Sequence, residues 1–324
     1  MLIFTVAIII GFIVLVWSAD RFTDGASELA RAFGVSQLVI GLTVVAIGSS
    51  APEIMVSFNA ALVGAMNLAI GNAVGSNITN VSLVLGATAI VVPIAYQRKV
   101  IQSSLLILTA AMVAIYAMFL DGSLDFIDGV LLLGSLTAYS VWLVRTAQKD
   151  KASSGVETQD GEDAEGEAPN FKRAILWVVI GGVLLPLSAR LLVWGASGIA
   201  EALGVSDLII GLTIVALGTS LPELAASIAG ALKGEHEMVV GNIIGSNVFN
   251  IMAVLGVPGL ISPGAISTEV LDRDLPVMVA VVVLLVVLMF FGRKNQQLGR
   301  ISGCVLLCSY LAYLAEVIRQ SSAA

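Results

Sequence analysis

GVSQLVIGLTVVAIGSSAPEIMVSFNAALVGAMNLAIGNAVGSNITNVSLVLG, residues 34–86, returns 170 residues later as GVSDLIIGLTIVALGTSLPELAASIAGALKGEHEMVVGNIIGSNVFNIMAVLG, residues 204–256. The two stretches align without a gap and agree at 27 of 53 positions. Chance does not produce that agreement, so the chain is an internal duplication. Weaker matches extend it upstream, with Ser18 and Ala19 answering Ser188 and Ala189, and Gly25-Ala26-Ser27 answering Gly195-Ala196-Ser197.

The chain around the repeat is built for lipid. Of 324 residues 58% are hydrophobic and 12% charged, with a mean hydropathy of +0.99. No water-soluble core of this length needs that balance, so the bilayer is the main solvent. Apolar runs recur at residues 2–18, 38–63, 68–92, 105–120 and 126–144, then at 175–187, 208–232, 238–261, 277–291 and 301–314. Ten spans are expected, five in each half. The first lacks a basic start and carries Trp17 where a small residue would precede cleavage, so it reads as a retained helix, not a signal. An odd number of spans per half forces the second copy to enter the membrane upside down. The expected architecture is therefore all-α and integral to the membrane: ten transmembrane helices in two inverted five-helix repeats, residues 1–148 and 171–324, with broken helices at the centre.

Residues 149–170 form an acidic linker, with Asp150, Glu157, Asp160, Glu162, Asp163, Glu165 and Glu167 against Lys149 and Lys151. It accounts for most of the net charge of −7 and reads as solvated and disordered. Lys and Arg gather on the cytoplasmic side of short loops. With the N-terminus outside, thirteen of the sixteen basic residues face the cytoplasm, which places the linker inside and both termini outside. Cys304 and Cys308, one turn apart in the last span, read as packing, and His236, between Glu235 and Glu237, reads as part of a solvated turn.

The densest identity falls on two segments per half. The first reads Gly48-Ser49-Ser50-Ala51-Pro52-Glu53 and Gly218-Thr219-Ser220-Leu221-Pro222-Glu223. Proline beside Gly and hydroxyl residues predicts a helix break, and a broken helix offers free carbonyls to a cation. Glu53 and Glu223 are the acids set well inside the apolar spans. An ionised carboxylate in hydrocarbon costs several kcal/mol unless it is paired, and no Lys or Arg lies at comparable depth. The partner is then a mobile cation or a proton.

The second segment reads Gly71-Asn72-Ala73-Val74-Gly75-Ser76-Asn77-Ile78-Thr79-Asn80, matched by Gly241-Asn242-Ile243-Ile244-Gly245-Ser246-Asn247-Val248-Phe249-Asn250. Asn72, Ser76 and Asn80 recur every four residues, as do Asn242, Ser246 and Asn250, so each triplet lines one helix face. Gly71, Gly75, Gly241 and Gly245 predict close helix approach. Ser76, Asn80, Ser246 and Asn250 read as cation ligands. For Asn72, Asn77, Asn242 and Asn247, ligation and helix-to-helix bonding stay open, and Thr43 and Thr213 are expected to bond back to their own helices. Two carboxylates with hydroxyl, amide and backbone oxygens suit hard cations such as Na+ and Ca2+. Competition of both ions for one site suffices for antiport. Three other readings compete: a Ca2+/H+ antiporter on the same glutamates, a passive channel, and an intramembrane enzyme using the carboxylates as acid and base. The enzyme lacks substrate-recognition residues and a nucleophile elbow, and inverted broken-helix repeats favour alternating access over a channel.

At these residues the chain resembles the sodium/calcium exchanger family of the cation/calcium antiporter superfamily, whose repeats carry Gly-(Ser/Thr)-Ser-x-Pro-Glu and Gly-Asn-x-x-Gly-Ser-Asn. The resemblance covers essentially the whole chain. It implies a bacterial inner-membrane exchanger that extrudes Ca2+ on the inward Na+ gradient, with the second, third, seventh and eighth helices around the ions and the first and sixth sliding. It places ion ligands at Ser49, Ser50, Glu53, Ser76 and Asn80, and at Thr219, Ser220, Glu223, Ser246 and Asn250, with the carbonyls of Ala46 and Ala216 completing Na+ sites. The implied partners are the two ions and the lipid bilayer, with no cofactor, nucleic acid or obligatory protein partner. The chain departs from the family's pattern at Asn250, where many relatives carry Asp, and at Ser49, where Thr is usual. Its 22-residue linker leaves no room for a calcium-sensing domain.

Overall fold

The computed structural model describes residues 1–153, 170–204, 214, 216–291 and 296–321. Its helices in chain order are α1 (Leu2–Phe33), α2 (Gln37–Ser49), α3 (Ala51–Leu62), α4 (Met66–Val91), α5 (Arg98–Met118), α6 (Phe126–Ser153), α7 (Phe171–Ala202), α8 (Ala216–Thr219), α9 (Leu221–Leu232), α10 (His236–Ile261), α11 (Val270–Phe290) and α12 (Arg300–Ser321). Among the described residues eight of these are long and apolar enough to cross a membrane, and α2 with α3, bent by 49°, makes a ninth. The tenth expected span, 208–232, falls partly on residues outside the described set, where α8 and the 12-residue α9 remain. The acidic linker lies mostly outside it too, because α6 runs through Ser153 and description resumes at Asn170.

α1 and α7, repeat partners of 32 residues each, run antiparallel along one another. Glycines let their backbones touch: a Cβ on Gly25 would sit 2.8 Å from the Ala174 carbonyl oxygen, and one on Gly195 2.8 Å from that of Phe4. Edge-on pairs Phe4–Trp194, Trp17–Trp177 and Phe33–Phe171 line the same seam. Most of the remaining surface of both helices faces outward, toward lipid.

The other helices form the core. α2 crosses α10 backbone to backbone at Gly41 and Gly241, whose added Cβ atoms would lie 3.0 Å and 3.1 Å from the other's Cα. Gly245 lets Ala46 and Leu42 close in on the next turn. The sequence-level expectation of close approach is therefore met at Gly241 and Gly245. A Cβ on Gly71 or Gly75 would meet no described atom of another segment within 4 Å, and the repeat counterpart of the α2 face, residues 208–212, lies outside the described set. Ile70, Ile78, Leu108, Met112 and Ile115 are fully buried in the apolar mass shared by α4, α5, α10 and α11.

Four two-residue strands, β1 (Ile94–Ala95), β2 (Ser123–Leu124), β3 (Gly264–Ala265) and β4 (Gln297–Leu298), tie connecting loops together. β1 pairs antiparallel with β4, joining Ile94 to Leu298, and β2 pairs antiparallel with β3, joining Leu124 to Gly264. β3 lies 170 residues after β1, so these ribbons obey the same duplication as the helices.

His236 departs from expectation. It opens α10 instead of sitting in a solvated turn, half-buried, with Nδ1 enclosed and without a partner among the described residues. Cys304 and Cys308 are free and exposed on α12.

Because a methyl on Gly241 would press on the Leu38 carbonyl oxygen at 2.6 Å, and backbone cannot swing aside, Gly241→Ala is expected to cost about 1–3 kcal/mol. Thermal unfolding in detergent should show it as a lowered midpoint. Gly134→Ala, with no described atom within 4 Å, is the comparison and should leave the midpoint in place.

Candidate functional site

Each repeat breaks its helix just ahead of its glutamate. Ser50 and Ser220 stand at the breaks with ψ near zero, and Pro52 and Pro222 occupy the first turn of α3 and α9, where a missing N–H removes no helical bond. The kink therefore precedes the proline. Glu53 and Glu223 fall in that same first turn, so the positive end of each helix dipole acts on its carboxylate.

Facing the breaks, α4 and α10 both widen into π-helical turns that begin at the asparagines, Asn80–Val84 and Asn250–Val254. α2 contains a third such turn at Gly41–Val45. π-turns are rare and concentrate at functional sites because they spoil regular backbone pairing and re-aim side chains. The turn at 80–84 packs against α9 and α10, and that at 250–254 packs against α3 and α4. The site is thus assembled crosswise, each polar helix serving the broken helix of the other half.

Burial there is complete for most groups. Ser49, Ser50, Glu53, Asn80, Glu223, Ser246 and Asn250 have no exposed surface, and Ser76 and Ser220 almost none, while Thr219 is half-buried. Ser50 Oγ donates to Glu223 Oε1 at 3.0 Å, a bond between the halves. Ser49 Oγ donates to Asn242 Oδ1 at 3.1 Å and approaches Ser246 Oγ at 3.5 Å. Glu53 and Glu223 are linked through Ser50, three residues before Glu53 in the chain. Neither takes part in an ion pair among the described residues.

Several buried polar atoms have no partner among the described residues: both carboxylate oxygens of Glu53, Oε2 of Glu223, Oδ1 and Nδ2 of Asn80 and of Asn250, and Oγ of Ser220. Buried polar atoms are ordinarily paired, so such a concentration marks a place for a ligand. The unpaired oxygens match in number and kind what a hard cation binds, since Ca2+ takes 6–8 oxygen ligands. The carbonyl of Ala46, matched by the resemblance to a Na+ ligand, already accepts Ser50 N at 3.0 Å and Ser49 Oγ at 3.4 Å. Ala216 opens α8 next to residues outside the described set.

The asparagines left open by sequence divide here. Asn72 Nδ2 donates to the Glu53 carbonyl and to Ser57 Oγ, both at 3.0 Å, and Asn242 Nδ2 donates to Ser227 Oγ at 3.3 Å. Ser57 and Ser227 stand 170 residues apart, so this brace is part of the duplication, and its signal was present in the sequence. Asn77 turns to Met278 and Asn247 to the Ile243 carbonyl. Thr43 bonds back to Val39 at 2.7 Å, as expected, and Thr213 lies outside the described residues. Asp274 is a third buried carboxylate that the apolar runs did not reveal. Arg273 grips both its oxygens, at 2.6 Å and 3.1 Å, and Tyr313 donates to it at 3.0 Å. Being neutralised locally, it contrasts with the two glutamates.

The family model for the sodium/calcium exchanger protein matches residues 3–145 and 173–319. The putative antiporter CaxA of Alkalimonas amylolytica is 45% identical over 313 residues, which span 97% of this chain and 98% of CaxA. The inner membrane protein YrbG of Escherichia coli is 40% identical over 318 residues, 97% of each chain. A solved structure of the sodium-calcium exchanger NCX_Mj, soaked with 10 mM Na+ and 10 mM Sr2+, superposes with a TM-score of 0.82 at 33% identity, covering 97% of this chain and 98% of that one. Family model, relatives and fold agree: this chain belongs to the sodium/calcium exchanger family, multi-pass membrane antiporters that carry ions and are not enzymes.

Proposed function

We propose that the protein exchanges Na+ for Ca2+ across the inner membrane of a bacterium by alternating access, extruding Ca2+, with Glu53 and Glu223 shared by both ions. The observation that carries this reading is the pair of buried carboxylates with no cationic partner among the described residues, accompanied by the unpaired oxygens of Asn80, Asn250 and Ser220. Ser49, Ser50, Ser76, Asn80, Thr219, Ser220, Ser246 and Asn250 supply the remaining side-chain ligands, with the carbonyls of Ala46 and Ala216. Two negative charges balance one Ca2+, and several Na+ satisfy the same oxygens in its absence.

The proposed frame is ten helices in two inverted repeats, 1–148 and 171–324, joined by a cytoplasmic linker. The antiparallel run of α1 against its repeat partner α7 supports it, as do the paired ribbons one repeat apart. The solved structure of NCX_Mj, an exchanger soaked with Na+ and Sr2+, supports the choice of ions, since Sr2+ is a hard divalent cation like Ca2+. The name of YrbG supports the inner membrane.

Proteoliposomes loaded with Na+ and diluted into Na+-free medium containing labelled Ca2+ should accumulate the label. Uptake that follows a proton gradient and ignores Na+ would replace this reading with Ca2+/H+ antiport. Glu53→Gln and Glu223→Gln each remove half of the site's charge and should reduce exchange to background; sustained Ca2+ flux in either variant would place the site elsewhere. Asn242→Ala frees the Ser49 hydroxyl to rotate, which at the worth of one hydrogen bond should raise the Ca2+ concentration for half-maximal flux by about tenfold. Turnover at saturating Ca2+ should change far less.

A further inference from the structure

Lys233 lies in the turn between α9 and α10, at the end of the molecule that basic-residue counting assigns to the cytoplasm. Its Nζ is 2.7 Å from Asp20 Oδ1 and 2.7 Å from Asp24 Oδ1, and it donates to the Asp20 carbonyl at 2.7 Å. All three ammonium protons are engaged. Two residues on, Glu235 accepts a hydrogen bond from Ser27 Oγ, which in turn accepts one from Gln37 Nε2 at 3.0 Å. Asp20, Asp24 and Ser27, spaced by four and three, share one face of α1. That face of the α1–α7 pair is thereby fastened to the core.

The duplication shows this fastening to be one-sided. One repeat away, Asp20 becomes Arg190, Asp24 becomes Trp194, Lys233 becomes Val63 and Glu235 becomes Ala65. A valine offers no charge, so the corresponding turn at the opposite end cannot hold α7 in this way. In an inverted-repeat carrier the two access states are related by exchanging the conformations of the two repeats, and residues that break this pseudo-two-fold symmetry set which state is favoured. We propose that Lys233, Asp20 and Asp24 form an ionic latch that closes the cytoplasmic end and biases the carrier toward the state open to the outside. This inference rests on the alternating-access reading above and on the sidedness of the loops. The lysine side chain is 25% exposed and its partners 46% and 45%, so these pairs are partly solvated, screened by salt and readily opened. A latch that must release in every cycle needs that softness.

Thr23 provides the reporter. It is buried on α1, next to Asp24 in the chain, with its methyl 3.8 Å from where a Cβ on Gly230 would lie. In a full-length chain carrying Cys304→Ser and Cys308→Ser, Thr23→Cys is labelled with a membrane-impermeant maleimide in inside-out vesicles. Lys233→Gln, or Asp20→Asn with Asp24→Asn, should speed labelling roughly threefold or more. Raising KCl to about 1 M should speed labelling of the chain with an intact latch and leave the variants unchanged, an arm that needs no latch variant to fold. A labelling rate indifferent to both substitution and salt overturns the latch, and labelling only from the opposite face overturns its sidedness and the latch with it. Loss of Na+-driven Ca2+ uptake in the unsubstituted chain would overturn the transport reading alone, because labelling reports the latch without transport.

Discussion

Two carboxylates sealed inside the membrane-spanning core, with no fixed cation among the described residues, set the terms for everything around them. Glu53 and Glu223 are fully buried, and ionised groups there are tolerated only where local dipoles or a mobile charge offset the lost hydration. The surroundings supply the dipoles: a helix N-terminus behind each carboxylate and the Ser50 hydroxyl on Glu223. None of these cancels the charge. Asp274 shows the alternative within the same chain, where Arg273 neutralises a buried acid and leaves nothing for an ion to bind.

Duplication then explains how one site acquires two equivalent walls. Each repeat contributes a broken helix with its glutamate and a polar helix with its asparagine, and the polar helix of one half packs against the broken helix of the other. Ser50 reaching Glu223 and Ser49 reaching Asn242 are both bonds between halves. Neither repeat makes the proposed site alone, so a displacement between the halves would alter the surroundings of both carboxylates.

Much of this was legible because the signals were duplicated. The helix breaks followed from Pro52 and Pro222, the charged centre from acids lacking basic neighbours, and the facing stripe from a spacing of four that persists up to Asn80 and Asn250. The π-turns beginning at those asparagines were not legible, since a widened turn after the stripe leaves the spacing before it intact. Nor did sequence sort the asparagines. An amide that braces a helix and one that ligates an ion have the same chemistry, and only contacts such as those of Asn72 with the Glu53 carbonyl, Asn242 with Ser227 and Asn247 with the Ile243 carbonyl mark the bracing use. His236 was misread for a related reason: its acidic neighbours suggested water, whereas α10 begins at that residue and encloses part of the ring.

The isolation of the glutamates also accounts for exchange as opposed to leak. With both ionised and the site empty, the carrier would have to close two uncompensated charges into the protein interior to return, and each such charge costs several kcal/mol. With one Ca2+ or several Na+ aboard, that cost is offset and the halves can rearrange. Neutral Asn80 and Asn250 keep the charge to be balanced at two, the charge of the proposed cargo. The same electrostatics that draws a cation into the site thus penalises the empty return, and a carrier penalised in that way moves one ion only when another takes its place.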